Sequence, residues 1–449
     1  MFTMIQDGII AAATRLWGYP MIFFLSLVGI LFTFLLKGLQ FSRFFTSGRL
    51  AYRYRTASGE GNITPLESLF SALGGLIGNG NIAGIATAIA IGGPGAIFWL
   101  WTASFIAMII VYSETLLALK FREKSVDGTY SGGPMYYIEK VLKLKWLAVL
   151  FAFAMGFKTL IATSTIQSNS IAIAAKQIFP LDKLPQWMPE LLPVCIILSM
   201  LTWIVINGGL KSIARALKKI TPLMVIIYAI AGLTIIFVNI GSFLEMMKLI
   251  VTNAFTPAGA AGGFAGTTVL LSIRYGVARG FYSNEAGTGS SPIMYSTAQF
   301  DNPVKQSLIG MFGVFIDTVV GTLTAFAILI TGVWISGETS TALASQAFNT
   351  FFGHYGSYVV FFSSFLFGYS TLIAWCFYGE QCFVYIWGPI MRKVFRWLFC
   401  AAIVFGFFKV ESLWSVGDLL NGFTVLVNVI AVIFLIKYVV QETPKWSVD

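Results

Sequence analysis

Long apolar runs recur along the chain and are separated by short polar stretches. A run of about 20 apolar residues is long enough to cross a bilayer as an α-helix. The pattern predicts eleven such helices, at 17–39, 65–91, 95–121, 146–175, 191–207, 222–240, 257–281, 304–334, 355–387, 394–408 and 413–439. We therefore expect an all-α membrane protein that forms one polytopic domain over residues 1–449.

Two of the predicted spans are interrupted. The span at 65–91 contains a cluster of helix-breaking and amide residues, namely Gly74, Gly75, Gly78, Asn79, Gly80 and Asn81. The span at 257–281 starts in a glycine-rich segment, 256–268. Non-helical backbone is tolerated at membrane depth only where it is buried in protein or lines a wet cavity. Glycines also allow close helix packing, but two amide side chains in one turn need partners, so we interpret 78–81 as a break.

The position of the two breaks predicts the architecture. They lie five spans apart, and an inverted pair of five-helix repeats produces this arrangement in transporters. We expect a first repeat over 65–240, a second over 257–439, and a peripheral N-terminal helix at 17–39. Transporters use the free main-chain ends of such half-helices to hold a substrate carboxylate and a coupling cation.

Composition and charge agree with this picture. The chain is 57% hydrophobic and only 11% charged, whereas a soluble domain carries about 25% charged residues. Most of the 29 Lys and Arg residues lie in loops on one side of the predicted spans. The positive-inside rule then places the N-terminus outside and the C-terminus in the cytoplasm, for a protein of the cytoplasmic membrane. Two external connections, 241–254 and 340–352, have the pattern of surface helices or lids.

Other function classes find less support in the sequence. The only histidine is His354, in a predicted external loop, and no catalytic arrangement of nucleophile and base is evident. The chain contains no phosphate-binding loop of an ATP-driven pump, and its basic excess follows from loop sidedness, so neither an enzyme nor a nucleic-acid partner is expected. A channel is the alternative from a different class, although a repeated filter or a ring of charges is missing.

Several short motifs occur in order along the chain, namely GNGNIAG at 78–84, GGPGA at 92–96, YSGGP at 130–134, QSNS at 167–170, GVARG at 276–280, SNEAG at 283–287 and YGE at 378–380. Together they resemble the alanine or glycine:cation symporter family. The resemblance implies a leucine-transporter-type fold and Na⁺-coupled uptake of small neutral amino acids by alternating access. The implied partners are an amino acid, Na⁺ and the bilayer, with no obligatory protein partner.

The resemblance also assigns roles to residues. It implies that the amides around Asn79 and Gly80 bind the substrate carboxylate, which agrees with the preference of a helix N-terminus for anions. The residues that it places around the substrate side chain are Gln167, Ile171, Phe264, Thr371 and Trp375. The oxygens that it gives to sodium are the carbonyls of Gly74 and Ile77, the hydroxyls of Ser370 and Thr371, and, for a second cation, the side chain of Asn81. By residue type alone, the two hydroxyls would bond to carbonyls of their own helix.

The substrate is expected to be small. A pocket closed by Phe264 and Trp375 fits alanine or glycine. Asn79 departs from the small hydroxyl residue that is common at this position in the family. Its carboxamide could narrow the pocket or recognise a polar side chain, and glutamine is therefore the rival substrate.

Two further charged residues have a predicted place. Lys158 lies nine residues before Gln167, about half a turn away on a regular helix, so it is expected to point away from the pocket toward a carboxylate such as Asp317. In a less favoured hypothesis, the ammonium of Lys158 takes the place of a bound cation. Glu285 is expected in a cytoplasmic turn, where it closes the inner gate or only caps a loop.

Overall fold

The computed structural model describes residues 2–53, 59–125, 128–176, 178–179, 185, 188–257, 268–408 and 411–445. In chain order the α-helices are α1 (Phe2–Leu16), α2 (Tyr19–Leu35), α3 (Leu39–Ser42), α4 (Phe44–Arg53), α5 (Pro65–Leu76), α6 (Ala83–Gly92), α7 (Ala96–Lys120), α8 (Pro134–Lys140), α9 (Lys145–Lys158), α10 (Ser164–Lys176), α11 (Leu192–Ile206), α12 (Gly209–Val238), α13 (Phe243–Phe255), α14 (Val269–Ser283), α15 (Ser290–Tyr295), α16 (Pro303–Ile330), α17 (Ser340–Phe352), α18 (Tyr355–Trp387), α19 (Met391–Val404) and α20 (Glu411–Glu442). One two-stranded antiparallel ribbon, β1 (Glu123–Lys124) and β2 (Tyr130–Ser131), follows α7.

The helices confirm an all-α membrane protein. In the described part of the chain, seven helices are long and apolar enough to cross a membrane, and the bent pair α5 and α6 makes an eighth span. The predicted spans at 191–207, 257–281 and 394–408 contain α11, α14 and α19, which have 15, 15 and 14 residues. These are shorter than the roughly 20 residues that a bilayer requires. The count of eleven spans and the inverted repeat therefore stay predictions.

The N-terminal apolar helix has one buried and one exposed face. In α2, Leu25 and Phe32 are buried, whereas Phe23, Leu27 and Phe34 are 70%, 69% and 77% exposed. In a bilayer the exposed side chains would contact lipid tails. This is the packing expected of a helix at the edge of a bundle.

The first predicted break is present. Thr64 caps α5 by accepting a hydrogen bond from the Glu67 amide, and the Glu67 carboxylate accepts from the Thr64 amide in return. The helix ends at Leu76, the chain is extended at 77–78, and a single 3₁₀ turn, Asn79–Asn81, leads into α6. The two halves are bent by 59°. The glycines and asparagines therefore do interrupt the span, as predicted.

The second predicted break lies largely outside the described residues, because these omit 258–267. This segment includes Phe264, so its assignment to the pocket also lies outside them. On its C-terminal side the chain enters α14, where Thr268 caps the helix by accepting a hydrogen bond from the Leu271 amide (3.3 Å). The second interruption stays a prediction.

The two connections with an amphipathic pattern are helices. They form α13 and α17, and α17 covers Ser340–Phe352, the predicted segment. The apolar face of α17, including Leu343, Ala347 and Phe348, is buried against the bundle. Both are therefore packed against the protein.

Arg122 forms hydrogen bonds with two other segments at one end of the bundle. The guanidinium of Arg122, just beyond α7, donates to the carbonyls of Ser296 (2.9 Å), Ala298 (2.8 Å) and Glu60 (2.6 Å). It also lies between the rings of Tyr130 and Phe300, at 4.1 and 4.2 Å from their centroids. The segments before α5, after α7 and after α15 are thereby held together, and we refer to these contacts as the Arg122 clamp.

Candidate functional site

A cavity of about 570 Å³ lies at the break between α5 and α6. Its wall is completed by α10, α14, α18 and α20, and it extends to residues 339–342 at the start of α17. The lining residues considered below are Gly75, Gly78, Asn79, Gly80, Asn81, Lys158, Gln167, Arg279, Ser283, Glu285, Thr371, Trp375 and Asn421. The interrupted helix thus borders a partly open cavity within the protein, which is the setting that its polar backbone requires.

The two half-helices present opposite polar groups at the break, where Gly75, Asn79 and Gly80 line the cavity. At the end of α5, the carbonyl of Gly74 accepts a hydrogen bond from the Thr371 hydroxyl, and that of Gly75 accepts one from the Trp375 indole (both 3.3 Å). At the start of the 3₁₀ turn, the amides of Asn79 and Gly80 are among the first N–H groups, which have no acceptor within the helix. Carbonyl oxygens suit a cation and free amides suit a carboxylate.

Asn79 and Gln167 meet across the cavity. The Asn79 side chain donates from Nδ2 to Gln167 Oε1 (3.1 Å), and its own Oδ1 is buried without a hydrogen-bond partner among the described residues. Gly368 of α18 lets the side chains of Asn79 and Ile171 approach, because a Cβ at this position would lie 2.8 Å from Asn79 Nδ2 and 2.7 Å from Ile171 Cδ1. Ile171 therefore packs behind the Asn79 carboxamide and does not line the cavity. An unpaired buried acceptor calls for a donor, which an amino acid can supply.

The residues assigned to sodium fall into two groups. A Cβ on Gly74 would be 3.5 Å from the Cβ of Ser370 and 3.0 Å from the hydroxyl of Thr221. The hydroxyls of Ser370 and Thr371 each donate to the carbonyl of Phe367 (2.9 Å), so they do bond to their own helix as residue type alone predicted. Their lone pairs stay free to coordinate a cation beside the Gly74 carbonyl.

The other group surrounds Asn81, which faces away from α18. Its carbonyl accepts from Thr324 (2.8 Å), its Oδ1 accepts from the Gly78 amide (3.2 Å), and its Nδ2 donates to Asp317 Oδ1 (2.7 Å). Asn81 is therefore separate from the oxygens around Gly74. The carbonyl of Ile77 belongs to the extended link between the two half-helices.

Thr371→Val provides a test of the first sodium site. We expect the sodium concentration for half-maximal uptake to rise about tenfold, because an interaction with a charged group contributes roughly 1.5 kcal/mol or more. Sodium titrations of amino-acid uptake measure this concentration. Ser363→Ala, on the same helix α18 but two turns from the break, is the matched control and should not change it. An unchanged sodium dependence of Thr371→Val would remove Thr371 from the ion site.

The predicted orientation of Lys158 is wrong. Its ammonium lines the cavity, donates to Asn421 Oδ1 (2.6 Å) and lies 4.1 Å from the centroid of the Trp375 ring. The reason is a π-helical segment, Thr159–Thr163, between α9 and α10. Its wider turns change the rotation between Lys158 and Gln167, so the two side chains reach the same cavity. Asp317 is not its partner.

Glu285 lies in a turn, as expected. It is a half-buried residue of the cavity wall, with a left-handed backbone (φ 49°) that is costly for a residue with a side chain. Its carboxylate accepts a hydrogen bond from Ser290 and interacts with the Trp375 indole and, through space, with Lys158. Its partners are thus side chains of the cavity wall, and its role at an inner gate stays a prediction.

Arg279 joins this buried charge cluster. It lines the cavity, with its guanidinium against Gly84, where a Cβ would lie 2.7 Å from Nη1. It lies 5.4 Å from the Tyr282 ring centroid and interacts electrostatically with Asp418. Arg279 is half-buried on α14 and forms part of the cavity wall.

A fully buried carboxylate, Glu114, lies beneath the turn 284–289. Glu114 of α7 accepts from Asn428 Nδ2 (2.6 Å), and the main chain of Gly287 and Gly289 lies close to its carboxylate. Asn428 also donates to the carbonyl of Gly287 (2.8 Å), and the Tyr137 hydroxyl donates to Asn428. Glu114 therefore fixes the turn that places Glu285 at the cavity. Asn428 is 314 residues from Glu114 in the sequence, so no local pattern predicts this contact.

Two other carboxylates within the predicted spans, Glu380 and Glu67, form ion pairs. Glu380 forms a two-pronged ion pair with Arg396 (2.6 and 2.9 Å), which also donates to the carbonyl of Asn207 (3.2 Å). Glu67 accepts from Lys218 (3.2 Å) in addition to its capping role. These pairs tie helices together at a distance from the cavity lining.

Comparison with known proteins identifies the family of this chain. The model of the sodium:alanine symporter family matches residues 2–448. The chain is 36% identical to a sodium/alanine symporter of Methanococcus maripaludis, over 96% of this chain and 95% of that protein. It is also 36% identical to a probable sodium/glutamine symporter of Bacillus subtilis, over 94% and 87%.

A solved structure shares the fold. The manganese transporter of Eremococcus coleocola superimposes with a TM-score of 0.52, at 12% identity, over 88% of this chain and 85% of that one. At this identity the likeness concerns the fold alone. The family model matches nearly the whole chain, which identifies the protein as a transporter and not an enzyme. The chain belongs to the sodium:alanine symporter family.

Proposed function

We propose that this protein is a sodium-coupled symporter that imports small neutral amino acids, with alanine and glycine as its first substrates, across the cytoplasmic membrane. The observation that carries the proposal is the pair of half-helix ends at one cavity. Carbonyls of Gly74 and Gly75 beside Thr371 offer a place for the cation, and the amides of Asn79 and Gly80 offer one for the carboxylate. Both ligands would then share one short unwound segment.

The mechanism that fits this geometry is alternating access. A substrate would enter past residues 339–342, and the bound cation would help to hold the carboxylate through the opposite polarity of the two half-helix ends. At the other end of the bundle, the Arg122 clamp would close the exit. A ligand can shift the equilibrium between the outward-open and inward-open states only if it binds one of them better than the other. Here the cation and the substrate carboxylate would share the unwound segment, so each would stabilise the state that binds the other.

Glutamine is the second candidate substrate. The observation that favours it is the buried, unpaired Oδ1 of Asn79, which a polar side chain could satisfy. The similarity to a probable sodium/glutamine symporter supports it as well. A competition series with alanine, glycine, serine and glutamine against labelled alanine would rank these substrates.

Uptake into proteoliposomes tests the function itself. Labelled alanine or glycine should accumulate when sodium is present outside and should stop accumulating when the sodium gradient is collapsed. Flux that persists unchanged without the gradient would contradict symport and would favour a channel. The predicted sidedness, with the N-terminus outside, can be read in cells from the accessibility of single introduced cysteines at 8 and 445.

The Arg122 clamp yields a prediction about the closed end. Arg122→Ala removes hydrogen bonds to three carbonyls, so we expect segments 59–64 and 296–300 to exchange amide hydrogen at least about tenfold faster, by hydrogen exchange and mass spectrometry. Arg122→Lys keeps the charge but loses the planar fork, and should show most of this effect. Lys124→Ala, which removes a cation 5.5 Å from the same Tyr130 ring, is the control. Unchanged exchange in Arg122→Ala would show that the clamp does not hold this end closed.

A further inference from the structure

The short helix α4 lies between two membrane spans. The chain leaves one apolar span at the end of α2 and enters the broken span at α5. With 10 residues, α4 is too short to cross a bilayer, and it packs against α5 and α16. A helix that connects two spans and packs beside them lies at the surface of the bilayer, where the acyl chains meet the lipid headgroups.

One face of α4 is fixed to the protein. The ring of Phe44 packs edge to face against Phe315 of α16, with 4.8 Å between the centroids. Gly48 allows close contact with the same helix, because a Cβ there would lie 3.1 Å from the Phe312 ring. The buried residues of this face are Ser47, Leu50 and Ala51. These contacts fix the rotation of α4 about its own axis.

The rest of α4 carries an aromatic stripe and a basic stripe. Phe45 and Tyr52 are 83% and 71% exposed, and at about 100° per residue their seven-residue spacing puts them on one side of the helix. Arg49 and Arg53 are also exposed, and their four-residue spacing aligns them next to the aromatic pair. Around the helix, the buried face is thus followed by exposed rings and then by two cations.

The basic stripe lacks acidic neighbours. The sequence contains no Asp or Glu between positions 37 and 59. Within the described ranges, no ion pair includes Arg49 or Arg53. Two like charges on adjacent turns repel each other, and an anion that contacts both removes this repulsion. An anion with an apolar part could contact the exposed rings of Phe45 and Tyr52 at the same time.

We infer that this face of α4 binds an anionic phospholipid of the surrounding leaflet. The phosphate would lie between Arg49 and Arg53, because guanidinium groups bind phosphate oxygens through paired hydrogen bonds. The acyl chains would pack against Phe45 and Tyr52, as aromatic side chains are favoured at the membrane–water boundary. By the predicted sidedness this is the cytoplasmic leaflet, whose negative surface potential attracts basic segments.

Native mass spectrometry of the protein in detergent, with added phosphatidylglycerol, measures this binding. The natural protein should retain phosphatidylglycerol at least about tenfold more tightly than phosphatidylcholine. Arg49→Gln with Arg53→Gln should retain one phosphatidylglycerol fewer, with about a 30-fold loss of affinity at that site, because each basic side chain near an anionic lipid contributes roughly a fivefold gain. Equal retention of the two lipids by the natural protein would overturn the proposal.

A matched control removes the same charge elsewhere. Lys145→Gln with Lys445→Gln deletes two exposed cations that each pair with a carboxylate, at 3.2 Å from Glu139 and 2.9 Å from Glu442. Its retention of phosphatidylglycerol should change less than twofold. An equal loss in both double variants would show that the lipid responds only to the total positive charge, and would overturn the site on α4.

Further measurements test the apolar half of the surface. Phe45→Ser should weaken phosphatidylglycerol retention at least about threefold without removing a charge, because an exposed ring no longer covers the acyl chains. Displacement of the lipid by an equal concentration of glycerol phosphate would show that the headgroup alone is bound, and would contradict a lipid surface.

Thermal unfolding gives an independent measurement. A lipid that binds only the folded protein raises its unfolding temperature. Phosphatidylglycerol should therefore stabilise the natural protein more than the variant Arg49→Gln with Arg53→Gln, and equal stabilisation of both would contradict the site. None of these measurements uses transport, so a failure of the proposed function would leave the lipid site standing.

Discussion

Asn79→Leu is expected to lower amino-acid uptake by at least about 100-fold. Leucine removes the carboxamide that donates to Gln167 Oε1 (3.1 Å) and the Oδ1 that waits for a donor in the cavity. A site built around hydrogen bonds loses orders of magnitude in selectivity when its buried polar groups are left unpaired. The branched side chain would also lie against Gly368, where there is no space for further atoms.

Initial rates of labelled alanine uptake measure this effect, with the amount of folded protein checked by size-exclusion chromatography. Asn239→Leu, the same change at the end of α12 and outside the cavity lining, is the control and should transport normally. Asn79→Ser, which restores a small polar side chain, should recover alanine uptake better than glutamine uptake. Uptake by Asn79→Leu at the natural rate would remove Asn79 from the pocket.

The broken span could be predicted because its cause is local. Glycine and asparagine in consecutive positions disfavour a membrane helix, and the structure bends at 77–81 as expected. Thr371 and Trp375 are four residues apart, a spacing that puts two side chains on one helix face. Both residues contact carbonyls at the end of α5. Features that depend on neighbouring residues were thus accessible from the sequence.

The charged cluster could not be predicted for two physical reasons. A π-helical segment, Thr159–Thr163, changes the rotation between Lys158 and the residues that follow it. The sequence of this segment does not predict a π-helix. The partner of Asp317 is Asn81, 236 residues away, and such long-range pairs leave no periodic pattern. The sequence identified these side chains as membrane charges with an expected function, but their partners required coordinates.

The cluster shows how the site tolerates buried charge. Trp375 has the ammonium of Lys158 over its face, at 4.1 Å, and the carboxylate of Glu285 near its indole N–H. The same N–H contacts the carbonyl of Gly75 at the end of α5. The ring thus lies between opposite charges and beside the unwound segment. Removing the charge of Lys158 or of Glu285 would change the electrostatic field at the end of α5, which is proposed to bind the cation.

Lys158→Met should therefore destabilise the protein by about 1–3 kcal/mol, because it leaves the half-buried carboxylate of Glu285 without a cation. The double variant Lys158→Met with Glu285→Gln removes both charges and should recover a large part of this loss, since residues that interact do not have additive effects. Unfolding of the purified protein in detergent, followed by Trp fluorescence, gives the free energies. Lys248→Met, at an exposed position of α13, is the matched control and should stay within about 0.5 kcal/mol of the natural protein. Additive losses in the double variant would show that Lys158 and Glu285 do not compensate each other.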